Sequence, residues 1–164
     1  VKADFPEYSV MNRGFGGSFM SELLFYADTL IVPYKPDWIF IYEGDNDLAS
    51  GKTAEEILAS AEKLVALIQQ KLPGAQICFL APKPSLARWN LKENYLGLNL
   101  RLKEFAGRKR QVFFLDMWDL MMDPAGKPMA DIFAEDGLHL NRKGYDIWKG
   151  EVAGFLKKHR VRKI

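Results

Sequence analysis

Cysteine is almost absent from this 164-residue chain: the one thiol, Cys78, excludes an intrachain disulfide and a cysteine-based metal cluster. It sits inside the apolar run Ile77-Cys78-Phe79-Leu80, where packing in a core is its simplest role. Histidine is scarce as well, with only His139 and His159. No stretch approaches the roughly 18–20 continuous apolar residues of a membrane-spanning helix, so a soluble domain without a membrane span is expected. Charge of one sign is also lacking. Against 23 Lys and Arg stand 21 Asp and Glu, and a formal +2 is too small a footprint for a nucleic-acid partner or an anionic bilayer. The opening Val1-Lys2-Ala3 carries neither an initiator Met nor a signal-peptide pattern and reads as the start of a processed, cut or partial chain. Compartment is left open.

What is present suits a single domain over residues 1–164. The mass of 18.7 kDa, 48% apolar and 27% charged residues are those of a chain with one real core. Tyr8 to Met11 reads as a short strand, Asn12 to Ser18 as a glycine-rich turn and Phe19 to Leu30 as a helix. Trp38 to Tyr42 is a continuous apolar run of the buried parallel type. Thr53 and Glu56 have capping-box spacing for a helix reaching about Leu72, with an apolar face of Ile57, Ala61, Leu64, Val65 and Ile68. Gln76 to Leu80 and Val112 to Leu115 read as further strands, and Leu91 to Ala106 as a helix. A closing helix presents Tyr145, Trp148, Val152 and Phe155 on one face, and the basic tail from Lys157 to Lys163 complements its dipole. His159, in that tail, is expected to be exposed. Strands alternating with helix-length segments give an α/β class, a parallel sheet covered on both faces.

In such sheets ligands bind beyond the carboxyl ends of the strands, and three loops there are chemically unusual. Gly14 to Ser18 contains Gly16-Gly17, whose backbone N–H groups can face an anion at a helix start; a plain tight turn is the other reading. Gly44-Asp45-Asn46-Asp47 offers a carboxamide between two carboxylates, or simply an Asx-turn, and it lacks the spacing of a Ca²⁺ loop. Asp136-Gly137-Leu138-His139 places a carboxylate three residues before an imidazole, which is how a general base is oriented, although such a pair also serves as a cap.

The three loops in this order resemble the blocks of the SGNH, or GDSL-type, hydrolases, which are α/β/α esterases and acyl hydrolases. The resemblance spans nearly the whole chain. It implies a backbone oxyanion donor at Gly17, a carboxamide donor at Asn46, and Asp136 and His139 as acid and base of a triad, with no metal and no cofactor. It also implies a flavodoxin-like strand order, 2-1-3-4-5, in which the first strand and the following Gly-Asp-Ser-type block with the nucleophilic serine fall before this chain. On that reading the chain is N-terminally incomplete, the nucleophile is not in it, and the exposed sheet edges could template a homo-oligomer. Ser18, Ser21 and Ser50 lie near the rim in sequence, but none occupies the nucleophile's strand-to-helix turn. Lys83, Arg88 and Trp89, after the third predicted strand, are candidates to meet the leaving group of a small acyl ester; the plainer alternative is a solvated Arg88 and a Trp89 that covers a helix. Two rivals remain: an SGNH-like binding domain or fragment without turnover, and a flavodoxin-like nucleotide-binding or Mg²⁺-dependent phosphohydrolase using Asp45, Asp47 and Asp136.

Overall fold

Three short runs of β-branched and aromatic residues form the sheet of the computed structural model, which describes residues 1–164. They are β1 (Trp38–Ile41), β2 (Gln76–Leu80) and β3 (Val112–Leu115), all parallel in the order β1-β2-β3. Ile39 lies opposite Ile77, and Phe79 opposite Phe114. Alternation along each strand sends Ile39, Ile41, Ile77, Phe79 and Val112 to one face and Cys78 and Leu80, with Trp38, Phe40 and Phe113, to the other. Both faces are apolar because both are covered.

Helices α1 (Met20–Leu30), α3 (Ala54–Lys71) and α4 (Lys92–Gly107) cover the first face and build the main core. The expected capping box starts α3: Thr53 Oγ1 accepts from the Glu56 N–H at 3.2 Å, and Glu56 Oε2 accepts from the Thr53 N–H at 2.8 Å. Its five predicted apolar residues are all buried. Helix α5 (Arg142–Lys158) alone covers the second face, through Phe155 and Trp148. The result is a three-layer α/β/α arrangement with one thick and one thin layer. No helix is long and apolar enough to cross a membrane.

The structure departs from the sequence reading in four places. Tyr8 to Met11 forms no strand: the sheet consists of β1, β2 and β3, none of which pairs with this segment, and a strand needs a partner. This leading segment is tied to the far end of the chain instead, by Asp4 to Arg142 at 2.9 Å and by the Ile164 N–H donating to the Glu7 carbonyl at 3.0 Å. The strands present thus follow the 3-4-5 part of the expected order. Second, Asp45–Ala49, expected as loop, is a short helix, α2. Gly44 makes that turn with φ of 107°, and a Cβ there would stand 2.7 Å from Leu98 Cδ2. Third, Tyr145 of α5 is exposed. Gly144 takes the close approach in its place, since its own missing Cβ would meet the Ile132 carbonyl at 2.5 Å. Fourth, His159 is half-buried rather than exposed, its ring 4.2 Å from that of Phe155 and 4.7 Å from that of Phe113. The end of α5 runs along the aromatic face of the sheet and carries His159 into it.

Candidate active site

The chain leaves β1 through Tyr42, Glu43 and Gly44 and enters α2, which lifts Asn46 at the carboxyl end of the sheet. Asn46 Nδ2 donates to the Ser18 carbonyl at 3.2 Å, so the carboxamide lies against the turn that contains Gly17. Gly17 has φ of 76°, a left-handed conformation that favours glycine. Two further contacts hold the loops together. Ser18 Oγ donates to Glu43 Oε1 at 2.6 Å, and buried Asp47 accepts from the Met20 N–H at 3.0 Å and from Lys52 Nζ at 2.9 Å. Burial, helped by the neighbouring Asp47, Glu22 and Asp45, pushes the Glu43 carboxyl up to about 7 against the Ser18 hydrogen bond.

Asp45 points inward and is the hub of a buried network. It accepts from Tyr42 Oη at 2.7 Å, from Arg88 Nη1 at 2.5 Å, from Lys83 Nζ at 3.3 Å and from Tyr95 Oη. Burial opposes its charge, but the Lys83 ammonium, the two phenols and the Arg88 guanidinium outweigh that and hold it below the usual carboxylate range. Burial in turn lowers Lys83, although Asp45 resists the shift. The second guanidinium nitrogen, Arg88 Nη2, donates to Asn46 Oδ1 at 3.2 Å. Sequence reasoning missed both phenols: Tyr95 reaches Asp45 from 50 positions away with no local mark, whereas Tyr42, three residues before Asp45, has a spacing that could have pointed to it.

Asp136 and His139 lie in the loop before α5. Asp136 Oδ2 meets His139 Nδ1 at 2.6 Å, while Oδ1 accepts from the N–H groups of Leu138 and His139, both at 2.9 Å. The His139 hydrogen bond, followed by those two backbone donors, pulls Asp136 well below the ordinary carboxylate range. Nε2 of His139 has no protein partner, and the ring is largely exposed. Gly137 turns with φ of 62°, and its carbonyl accepts from the Ala87 N–H at 3.1 Å, seating the loop against the segment that carries Arg88.

Gly17 and Asn46 are therefore neighbours, Asp136 and His139 are a bonded pair, and the segment from Lys83 to Arg88 joins the two pairs at one rim of the sheet. Trp89 stacks on Trp118 at 6.3 Å with Lys92 over its ring, so much of it is taken up in packing. No serine of the chain hydrogen-bonds to His139: Ser18 is held by Glu43, Ser21 by Lys52 and Ser50 by the Asp47 carbonyl. Cys78, within β2, is buried, its thiol pushed up to about 12 by desolvation.

Known proteins share this architecture. A Streptococcus pneumonia protein provisionally assigned as a platelet activating factor superposes with a TM-score of 0.80 at 26% identity, over 89% of this chain and 72% of that one. A GDSL-like lipase from Bacteroides thetaiotaomicron gives a TM-score of 0.81 at 18% identity, over 96% of this chain and 80% of that one, a likeness of fold. An N-acylneuraminate cytidylyltransferase of Escherichia coli is 26% identical over 155 residues, which are 92% of this chain and 36% of that protein. The chain thus spans about a third of the length of the curated relative it matches. The model of the GDSL-like lipase/acylhydrolase family matches residues 1–147, in which all three rim loops lie, and the chain belongs to that family.

Proposed function

We propose that the rim loops supply the base, its orienting acid and the oxyanion donors of a serine-dependent carboxylic ester hydrolase, with the nucleophilic serine on a segment outside these residues. The observation that carries this reading is the 2.6 Å contact between Asp136 Oδ2 and His139 Nδ1, which fixes the imidazole tautomer and leaves Nε2 to take a proton. His139 removes the serine proton as the hydroxyl attacks the ester carbonyl, Asp136 stabilises the imidazolium, and the proton is returned to the departing alcohol. Water then repeats the attack on the acyl-enzyme. The Gly17 N–H and the Asn46 Nδ2–H stabilise the tetrahedral oxyanion, and no metal or organic cofactor takes part. Trp89 is assigned to the surroundings of the alcohol group.

The substrate class proposed is a short acyl ester on a carbohydrate. The acyl ester draws on a fold shared with an acetyl-xylooligosaccharide esterase of Geobacillus, and the sugar also on a relative named for N-acylneuraminate, whose own acyl group is an amide. The test is intact-mass spectrometry of the full natural chain before and after a fluorophosphonate probe, with the adduct mapped. One adduct on a serine, prevented by His139→Ala, is the expected result. A full natural chain that takes no adduct and hydrolyses no aryl acetate would overturn the reading.

A further inference from the structure

A primary carboxamide can sit either way round, and its two ends are opposite in chemistry: the oxygen only accepts and the nitrogen only donates. For Asn46 the choice decides whether an oxyanion meets a donor or an acceptor. We propose that Arg88 is a positioning residue for Asn46: its guanidinium fixes which way the carboxamide faces and polarises it, so that an Nδ2–H points to the reacting centre. The proposal rests on the ester-hydrolase reading above and assigns Arg88 a task that contact with the substrate does not describe.

Three observations carry it. First, a guanidinium has donors and no acceptor, so Arg88 Nη2 at 3.2 Å from Asn46 Oδ1 is compatible with one orientation of the amide only. Second, the far side of the carboxamide agrees: Nδ2 gives one hydrogen to the Ser18 carbonyl, next to Gly17, and its other hydrogen has no protein acceptor. With the amide turned round, Oδ1 would face that carbonyl and Nδ2 would face a cation. Third, Arg88 cannot swing away. Its Nη1 is held by the Asp45 carbonyl at 3.0 Å and by Asp45 Oδ1 at 2.5 Å, while Tyr42, Tyr95 and Lys83 take up the remaining acceptor capacity of that carboxylate. Asp45 and Asn46 are consecutive residues at the start of α2, so a single guanidinium grips both through one fork. The charge matters as well as the shape. A cationic donor on Oδ1 draws electron density from the amide and makes the Nδ2–H groups better donors, as in any chain of hydrogen bonds in a poorly solvated site.

The test is a double-mutant cycle in the full natural chain, with 4-nitrophenyl acetate as substrate. Arg88→Gln is expected to lower kcat about tenfold or more with KM within about twofold, because the donor is misplaced and binding is untouched. Asn46→Ala is expected to lower kcat by about 10²–10³. The double variant should match Asn46→Ala, since Arg88 has nothing left to orient. Asn46→Asp keeps an oxygen toward Arg88 and removes the donor, so it should lose kcat as Asn46→Ala does. An effect of Arg88→Gln on KM alone, or a penalty that persists in full without Asn46, overturns the proposal. A second readout does not need turnover. The side-chain ¹⁵N–¹H pair of Asn46, identified by its loss in Asn46→Asp, should show a downfield proton that moves upfield in Arg88→Gln, and an unchanged pair overturns the assignment. If the wild-type chain hydrolyses nothing and takes no fluorophosphonate, the ester-hydrolase reading fails, and this spectrum still decides whether Arg88 holds the carboxamide.

Discussion

Asp45 and Asp136 stand at the same rim with pKa values below the ordinary carboxylate range, and they reach that state by opposite routes. Asp45 is almost buried, and its charge survives because residues from β2's loop and from α4 bring two cations and a phenol to it, while Tyr42 adds a second phenol from its own segment. Asp136 is open to water and is satisfied within a four-residue turn, by its own backbone and by His139. One half of the site is thus a product of the tertiary fold and the other is local. The two halves should therefore fail differently. Damage at Asp45 should reach the whole molecule, whereas damage at the Asp136 and His139 turn should stay with the chemistry.

The sharpest contrast comes from removing the base. His139→Ala is expected to lower kcat for an aryl acetate by about 10⁴ or more, the usual cost of losing the base of such a triad, and to move folding stability by only about 0.5 kcal/mol because the ring is exposed. Steady-state kinetics and thermal unfolding of the same sample measure both. A large fall in melting temperature would show that the turn is not local. The opposite case is Asp45→Ala, which leaves Lys83 and Arg88 beside each other without the carboxylate that both of them bond. Removing one partner of a buried pair costs about 3–5 kcal/mol, a substantial part of the stability of a domain of this size. Urea unfolding at pH 7 checks it, and a loss below about 1 kcal/mol would mean that water already screens the cluster.

This division also explains what could be read in the sequence. The β and α runs were legible because each strand is apolar but for Gln76 at the start of β2 and the long helices repeat apolar residues on one face, as Ile57 to Ile68 do. The Asp136 and His139 contact was legible because it closes over three residues. Tyr8 to Met11 misled because β propensity describes one chain segment, and a strand also needs a neighbour. The network around Asp45 was hidden for a related reason. Tyr95 lies 50 positions away on α4 and Arg88 43 positions away, so no local spacing joins them. Lys83, between two prolines, carries no mark of being buried.

Glu43 completes the comparison as the case without either remedy. Like Asp45 it is largely removed from water, but its bonded partner is the Ser18 hydroxyl and its charged neighbours Asp47, Glu22 and Asp45 are all acidic. Its carboxyl therefore holds its proton up to about 7 in the folded chain, against the ordinary value of 4.5. Between those two values the folded state binds more protons than the unfolded one, so this group makes stability fall as pH rises through the interval and then level off. Glu43→Gln retains a carbonyl oxygen for Ser18 and removes the titration. The variant should match wild type near pH 4 and exceed it by about 1–2 kcal/mol at pH 8, less than the full shift implies because the carboxyl is partly solvated. Urea unfolding across pH 4–8 gives both curves. A constant offset between them would show that Glu43 titrates as an exposed acid does, and that burial without a cation is not what separates it from Asp45.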